Sequence, residues 1–454
     1  MPSPRERTRF VWNVLLGMLL LLAGAEFLLR GPVRFARNSD FNDFISPYIQ
    51  TRLWMQGADP YSPLNLVRLW PTDAQRFDFL SRDLANGSLV LKRGIPTAYP
   101  LTAFVLLAPV AALPWHVAHP LCLAVTVLSF AVTVTSLLSV AKFPPRTYWP
   151  FVFLVLALAF APFHTALAAG SIVTVAIAAA AAALWAAEHK HDAFAGVLVA
   201  VAVALKPQIG LPFLFYYLAC RRWRIPAIAI GLVATLFALA LARLAISGTP
   251  WLQSYLYDNR VLFASGSLGD FTEKNPIRFG LINLQLVAYA IVPDRSLANL
   301  LAISIDGILG FVWIFLLWTG KVWRGEKNAL LGLSTLLVLS LLPIYHRFYD
   351  ASLLIFPLAW STTLAWSPQS PSGRVRVLAR ASFLLILPFL IPGGSILEQL
   401  QNAGHFAALR HWWWWNAVAM PHQVWALFLL ALLLLQAMHA ATVEEGISVA
   451  AGTR

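Results

Sequence analysis

The sequence predicts an all-α integral membrane protein, with roughly a dozen transmembrane helices and a helical outer loop after the first span. Three observations predict it. Hydrophobic residues fill 59% of the 454 positions and charged ones only 12%, against roughly a quarter charged in a soluble domain. Apolar runs that approach the ~20 residues needed to cross a bilayer recur along the whole chain. The basic residues fall in short clusters between those runs. A net charge of +13 would suggest nucleic acid in a soluble protein, but clusters of this kind fit cytoplasmic loops and anionic lipid headgroups, so no nucleic-acid partner is expected.

The first run, residues 10–29, follows a short basic N-terminus and could imitate a signal peptide. It is long for such a segment, and its small residues Ala23, Gly24 and Ala25 lie inside it rather than after it. We read it as a retained span with its N-terminus in the cytoplasm. The polar loop at 30–97 is placed outside, because the positive-inside rule weakens for loops beyond ~60 residues. Residues 99–114, interrupted by Pro109, read as a half-membrane segment. Further runs lie at 117–141, 148–162 and 171–187. The tract at 193–219 breaks at Lys206-Pro207 into two short helices that meet on the outer side. More runs follow at 225–246, 297–318, 328–343, 351–366, 380–393 and 421–440. The whole chain, 1–454, reads as one polytopic domain, with further outer segments at 247–296 and 394–420. Trp412, Trp413, Trp414 and Trp415 in the latter suit a membrane-interface belt. Cys122 and Cys220 lie in or beside apolar runs and support neither a disulfide framework nor a cysteine metal site.

Candidate chemistry gathers on the outer side. Asp40 and Asp43 sit just past the first span. Ser46-Pro47 reads as a helix start, Ser46 as N-cap and Pro47 at the first helical position, with the helix running from Tyr48 to Gln56 and stopped by Gly57. That reading leaves Asp43 free for other work; the plainer alternative has it satisfying loop amides or pairing with Arg52. Lys206 costs about 2.5–3.5 kcal/mol if held at mid-membrane, so it either snorkels from a helix end or presents a cation to a lipid phosphate. His346 and Arg347, in the run Tyr345 to Asp350, carry donors that suit phosphate oxygens; alternatively they are solvated, with Arg347 paired to Asp350. Arg260, Arg278, Asn283 and Gln285 are weaker candidates of the same kind. The chain has no glycine-rich phosphate loop, no zinc-protease or serine-hydrolase motif, and no Asp-x-Asp of the nucleotide-sugar type.

At these residues the chain resembles the GT-C type membrane glycosyltransferases, most closely glycosyltransferase family 87, the polyprenyl-phosphate-mannose-dependent α-mannosyltransferase group. The first loop carries an Asp, an aromatic stretch and a Gly-x-Asp-Pro-Tyr turn, here Asp43 through Tyr48 and Gly57 through Tyr61. Tyr99-Pro100, Gly170-Ser171, Leu205-Lys206 and the segment from Pro343 to Tyr349 resemble later family segments in the same order. Leu101 replaces the second proline of the Tyr-Pro-Pro segment, and Ser171 stands where the family often has Gln.

The resemblance implies an inverting hexosyltransferase that moves a sugar, mannose first, from a polyprenyl phosphate to a lipid or glycan acceptor at the outer face of the bacterial cytoplasmic membrane. It makes Asp43, rather than Asp40, the match to the family's catalytic base. His346 and Arg347 would bind the donor phosphate, with Lys206 added from its position. Tyr48, Asp59, Tyr61, Arg278, Asn283 and Gln285 are the candidates for acceptor or sugar contacts. No metal ligands are assigned and no cofactor is required beyond the lipid-linked donor, with divalent-metal dependence left open. A multi-spanning transporter or lipid flippase is the competing class. The scarcity of carboxylates inside the spans and the long loop after the first one argue against it.

Overall fold

The computed structural model describes residues 4–37, 43–71, 99–144, 147–319, 329–343, 345–366 and 373–452. Helices dominate these residues, and the described residues contain no named strand. Asp40 and the part of the first loop from 72 to 98, with Asp73, Asp78 and Asp83, lie outside them.

Among the described residues, six helical segments are long and apolar enough to cross a membrane: Phe10–Arg37, Trp115–Val140, Arg224–Ile246, Arg295–Thr319, Gly373–Asn402 and His422–Val443. The pair Trp149–Leu158 and Ala161–Ala169, bent by 41°, would make a seventh. The expected dozen is larger because several apolar runs form short helices. Leu101–Ala111, Val173–Glu188, Asp192–Leu205 and Ala329–Ser340 have only 10–17 residues. At 1.5 Å per residue, such helices fall short of a ~30 Å hydrocarbon core. They survive by packing inside the protein. Nearly every alanine of Val173–Glu188 is buried, whereas the long spans expose Leu21, Leu128, Leu239 and Phe311 as lipid-facing surface. The Gly373–Asn402 stretch also takes in the first residues of the expected outer segment at 394–420. After it, Trp412, Trp413 and Trp414 are exposed and Trp415 is buried.

The expected break at Lys206-Pro207 is present. The helix Asp192–Leu205 ends at Lys206, whose extended backbone (φ −149°, ψ 90°) also starts the helix Pro207–Ala219. Proline disfavours helical geometry in the residue before it, and its missing N–H costs nothing in the first turn. Gly210 lets the two helices fold closely together: a Cβ there would lie 2.3 Å from the backbone nitrogen of Val203.

The first loop departs from its predicted cap. Its helix runs Ile45–Met55, Phe44 is the N-cap, and no side chain caps it. Ser46 is buried inside the first turn rather than ahead of it. The reason is that the opening turn of any helix has N–H groups without intrahelical partners, so Pro47 is tolerated at the third position as well as the first. The stop holds as read: Gln56 closes the helix and Gly57 follows at φ +71°. The turn after it is pinned from outside. Arg243 donates to Met55 O at 2.8 Å, Thr249 Oγ1 donates to Gly57 O at 2.5 Å, and Ser254 donates to Asp59 Oδ2 at 2.6 Å.

Candidate active site

The site forms where the Lys206 break meets the segment after the helix Ala329–Ser340. That segment is held by backbone pairing with the second long loop. Leu281 and Arg347 make an antiparallel bridge, Ile282 N donates to His346 O at 3.1 Å, and Leu284 N donates to Leu342 O at 2.9 Å. A 3₁₀ helix, Phe348–Leu354, then begins with Arg347 as its N-cap. Asp350, in its first turn, reaches back to accept from Arg347 N at 3.0 Å. The same carboxylate takes Lys206 Nζ at 2.7 Å and His346 Nδ1 at 3.3 Å. The other ring nitrogen of His346 donates to Ser340 O at 3.0 Å, and the imidazole is wholly buried. Lys206 Nζ also lies 4.6 Å from the centre of the Tyr349 ring, within cation–π range.

Asp43 enters this cluster from the first loop. Its backbone nitrogen donates to Ala169 O at 2.5 Å, just before Gly170 turns the chain at φ +64°. Tyr349 donates a hydrogen bond to its carboxylate, and Arg347 and Lys206 act on it electrostatically. Asp43 is half-buried as a residue, but its Oδ2 is sealed from solvent and has no protein partner. Arg52, offered as a partner from sequence, donates instead to Tyr48 Oη at 2.7 Å.

The two carboxyl groups are driven apart. Burial pushes Asp43 above its ordinary value, against the pull of Arg347, Lys206 and Tyr349. Burial would raise Asp350 too, but Lys206 and then His346 hold it well below the ordinary range. A carboxylate with a raised pKa can take a proton, while one already neutralised by partners cannot. Burial also lifts the Tyr349 phenol well above its ordinary value, so it remains a donor.

The other sequence candidates scatter around this centre. Tyr48 Oη donates to Leu113 O at 2.8 Å and Tyr61 Oη to Tyr99 O at 2.7 Å, and both rings are buried. Asp59 accepts from Tyr61 N at 3.0 Å as well as from Ser254. These three residues therefore tie the first loop to its neighbours. Gln285 Nε2 donates to Pro343 O at 2.5 Å, beside the site segment, while Gln285 Oε1 and Asn283 Oδ1 are buried without partners. Arg278 begins a 3₁₀ turn, its guanidinium 4.8 Å from the Phe279 ring centre. Arg260 is exposed on the helix Leu252–Leu262. Arg347 meets Asp350 through its backbone nitrogen, while the ion pair belongs to Lys206. Sequence reasoning did not find that pair, nor the part played by Tyr349. One signal pointed to the pair: a lysine inside an apolar tract demands an acid, and Asp350 directly precedes the apolar run at 351–366.

A sequence profile decides what kind of protein holds this cluster. Glycosyltransferase family 87 matches residues 97–357, more than half of the chain. The chain belongs to that family. Neither curated proteins nor solved structures give a match. In this glycosyltransferase the matched stretch contains Lys206, His346, Arg347 and Asp350, and Asp43 comes ahead of it. The transporter reading gives way to sugar transfer. Among the described residues no three His, Cys, Asp or Glu side chains gather as a metal site.

Proposed function

We propose that the protein transfers a sugar, mannose first, from a polyprenyl phosphate to an acceptor hydroxyl at the outer face of the bacterial cytoplasmic membrane, with inversion at the anomeric carbon. One observation carries the assignment of the base. The buried, unpartnered Oδ2 of Asp43 belongs to a carboxyl of raised pKa, set among cations. The acceptor O–H gives its proton to Asp43 as the oxygen attacks the anomeric carbon. The bond from that carbon to the phosphate oxygen breaks in the same step, and its electron pair leaves with the lipid phosphate. A β-linked donor thus gives an α-linked product.

A lipid phosphate is already a good leaving group, so the protein's task there is to stabilise charge. Arg347 is suited to it, because its side chain is engaged by Tyr345 rather than by a carboxylate hydrogen bond. Lys206 adds charge, but part of its capacity is spent on Asp350. His346, with both ring nitrogens facing protein acceptors, orients Asp350 and through it Lys206. Fixed charge in a water-poor site is worth more than the same charge in water. The test is transfer from radiolabelled polyprenyl-phosphate sugars by the purified protein in liposomes. Asp43→Asn protein that transfers at the wild-type rate would sink the assignment.

A further inference from the structure

Away from the Asp43 cluster, the second long loop and the Trp-rich segment enclose a cavity of about 190 Å³. Arg278, Glu273, Tyr289, Trp413 and Asn416 supply its polar and aromatic lining. We propose that this cavity is the acceptor subsite and that it takes an uncharged sugar ring of a carbohydrate acceptor. This rests on the transferase reading above.

Three features of the wall support a carbohydrate. Tyr289 and Trp413 come from separate elements, the helix Gln285–Ile291 and the Trp run, and offer the flat apolar faces on which the C–H side of a sugar ring stacks. Arg278, Glu273 and Asn416 offer both donors and acceptors, which is what a polyol needs and an apolar tail does not. The charge is mixed rather than plainly cationic: the guanidinium of Arg278 feels Glu273 and Glu398 as well as a second cation, Arg410. A phosphate placed there would meet the Glu273 carboxylate as well as Arg278.

The position supports an acceptor. Arg278 is three residues before Leu281, which bridges to Arg347, and Tyr289 rides the helix whose Gln285 is bonded to Pro343. The walls of the cavity are therefore tied to the segment that carries the catalytic cluster. Trp413 is 72% exposed and stands beside exposed Trp412 and Trp414. Tryptophan in such a place suits a membrane interface, where the glycan head of a lipid-anchored acceptor would lie.

The probes are octyl α-mannoside and octyl mannobioside as lipid-like acceptors, the free disaccharide as a soluble one, and phosphatidylglycerol vesicles as an anionic control. Binding is read in Asp43→Asn protein by saturation-transfer NMR, so it does not depend on catalysis. Trp413→Ala and Arg278→Lys should each weaken glycoside binding and raise the acceptor KM by about tenfold, with kcat within about twofold. Trp413 is exposed, so its loss should leave folding intact. Glycosides that bind while the free disaccharide does not would mark a lipid-anchored acceptor, and equal binding a soluble glycan; either supports a sugar subsite. Wild-type glycoside binding and KM in both variants, or an effect confined to phosphatidylglycerol, would overturn it. Transfer that persists in Asp43→Asn would refute the catalytic reading while leaving the binding result to stand alone.

Discussion

Lys206 Nζ stands 2.7 Å from Asp350 Oδ1, with both side chains no more than 8% exposed, across 144 residues of sequence. This pair locks the break between the helices Asp192–Leu205 and Pro207–Ala219 onto the 3₁₀ helix Phe348–Leu354. It also settles which carboxylate is spent. Asp350 has given its charge to Lys206, His346 and a backbone N–H, so Asp43 is the acid with basicity to spare.

Asp43→Asn should lower kcat by about 10²–10⁴-fold, the usual worth of a positioned general base. Unfolding temperature should stay near wild type, because no protein group depends on its Oδ2. Transfer kinetics and a thermal melt on the same preparation test both halves. A variant that melts far earlier would make Asp43 a structural acid instead.

Asp350→Asn should act mainly on stability. Removing one partner strands a buried ammonium, at a cost of about 3–5 kcal/mol. The double variant Lys206→Met, Asp350→Asn should be more stable than Asp350→Asn alone, since burying no charge costs less than burying an unpaired one. Thermal unfolding in detergent across the four members of this cycle measures the coupling. Strictly additive effects would contradict the pair.

Acidity should separate the two groups. A raised carboxyl pKa means that the fold favours protonated Asp43, so its ionisation costs stability as pH rises from the ordinary 3.8 through the folded value. Asp350 works the other way: its stabilisation is full above 3.8 and is lost as pH falls through its depressed folded value. Activity should show an acid limb from Asp43. Arg347 is the strongest influence lowering that pKa, so Arg347→Gln should move the limb to higher pH. A pH profile of kcat/KM checks the direction, and a limb that stays in place would detach it from Asp43.

Local chemistry was legible in the sequence and long-range pairing was not. Lys206 before Pro207 announced its kink because an X-Pro step restricts both residues. Gly57 announced a helix end because few residues accept φ +71°. Ser46 misled, since a serine before proline looks like a cap whether the helix begins at that proline or two residues earlier. The span count misled as well, because an apolar run reads alike whether lipid or alanine-rich helix surrounds it. Asp43 was singled out through family resemblance and spacing. No local pattern linked it to Tyr349, or Lys206 to Asp350, because those contacts depend on how the helices stack.

Gly57 offers a test of how the first loop is held. A Cβ at this position would lie 2.0 Å from Ser247 Oγ and 2.8 Å from Ser247 Cβ, on a backbone at φ +71°. Gly57→Ala therefore meets two separate penalties. The left-handed backbone costs about 1–2 kcal/mol for any residue with a Cβ, and the clash forces the end of the helix Arg224–Ile246 to move. Adding Ser247→Gly removes the clash and leaves the backbone strain. The double variant should thus recover part of the lost melting temperature but not all of it, despite losing the 2.9 Å bond from Arg243 to Ser247 Oγ. Full recovery would mean that the backbone at Gly57 relaxes freely. No recovery would mean that the contact with Ser247 does not hold the loop in place.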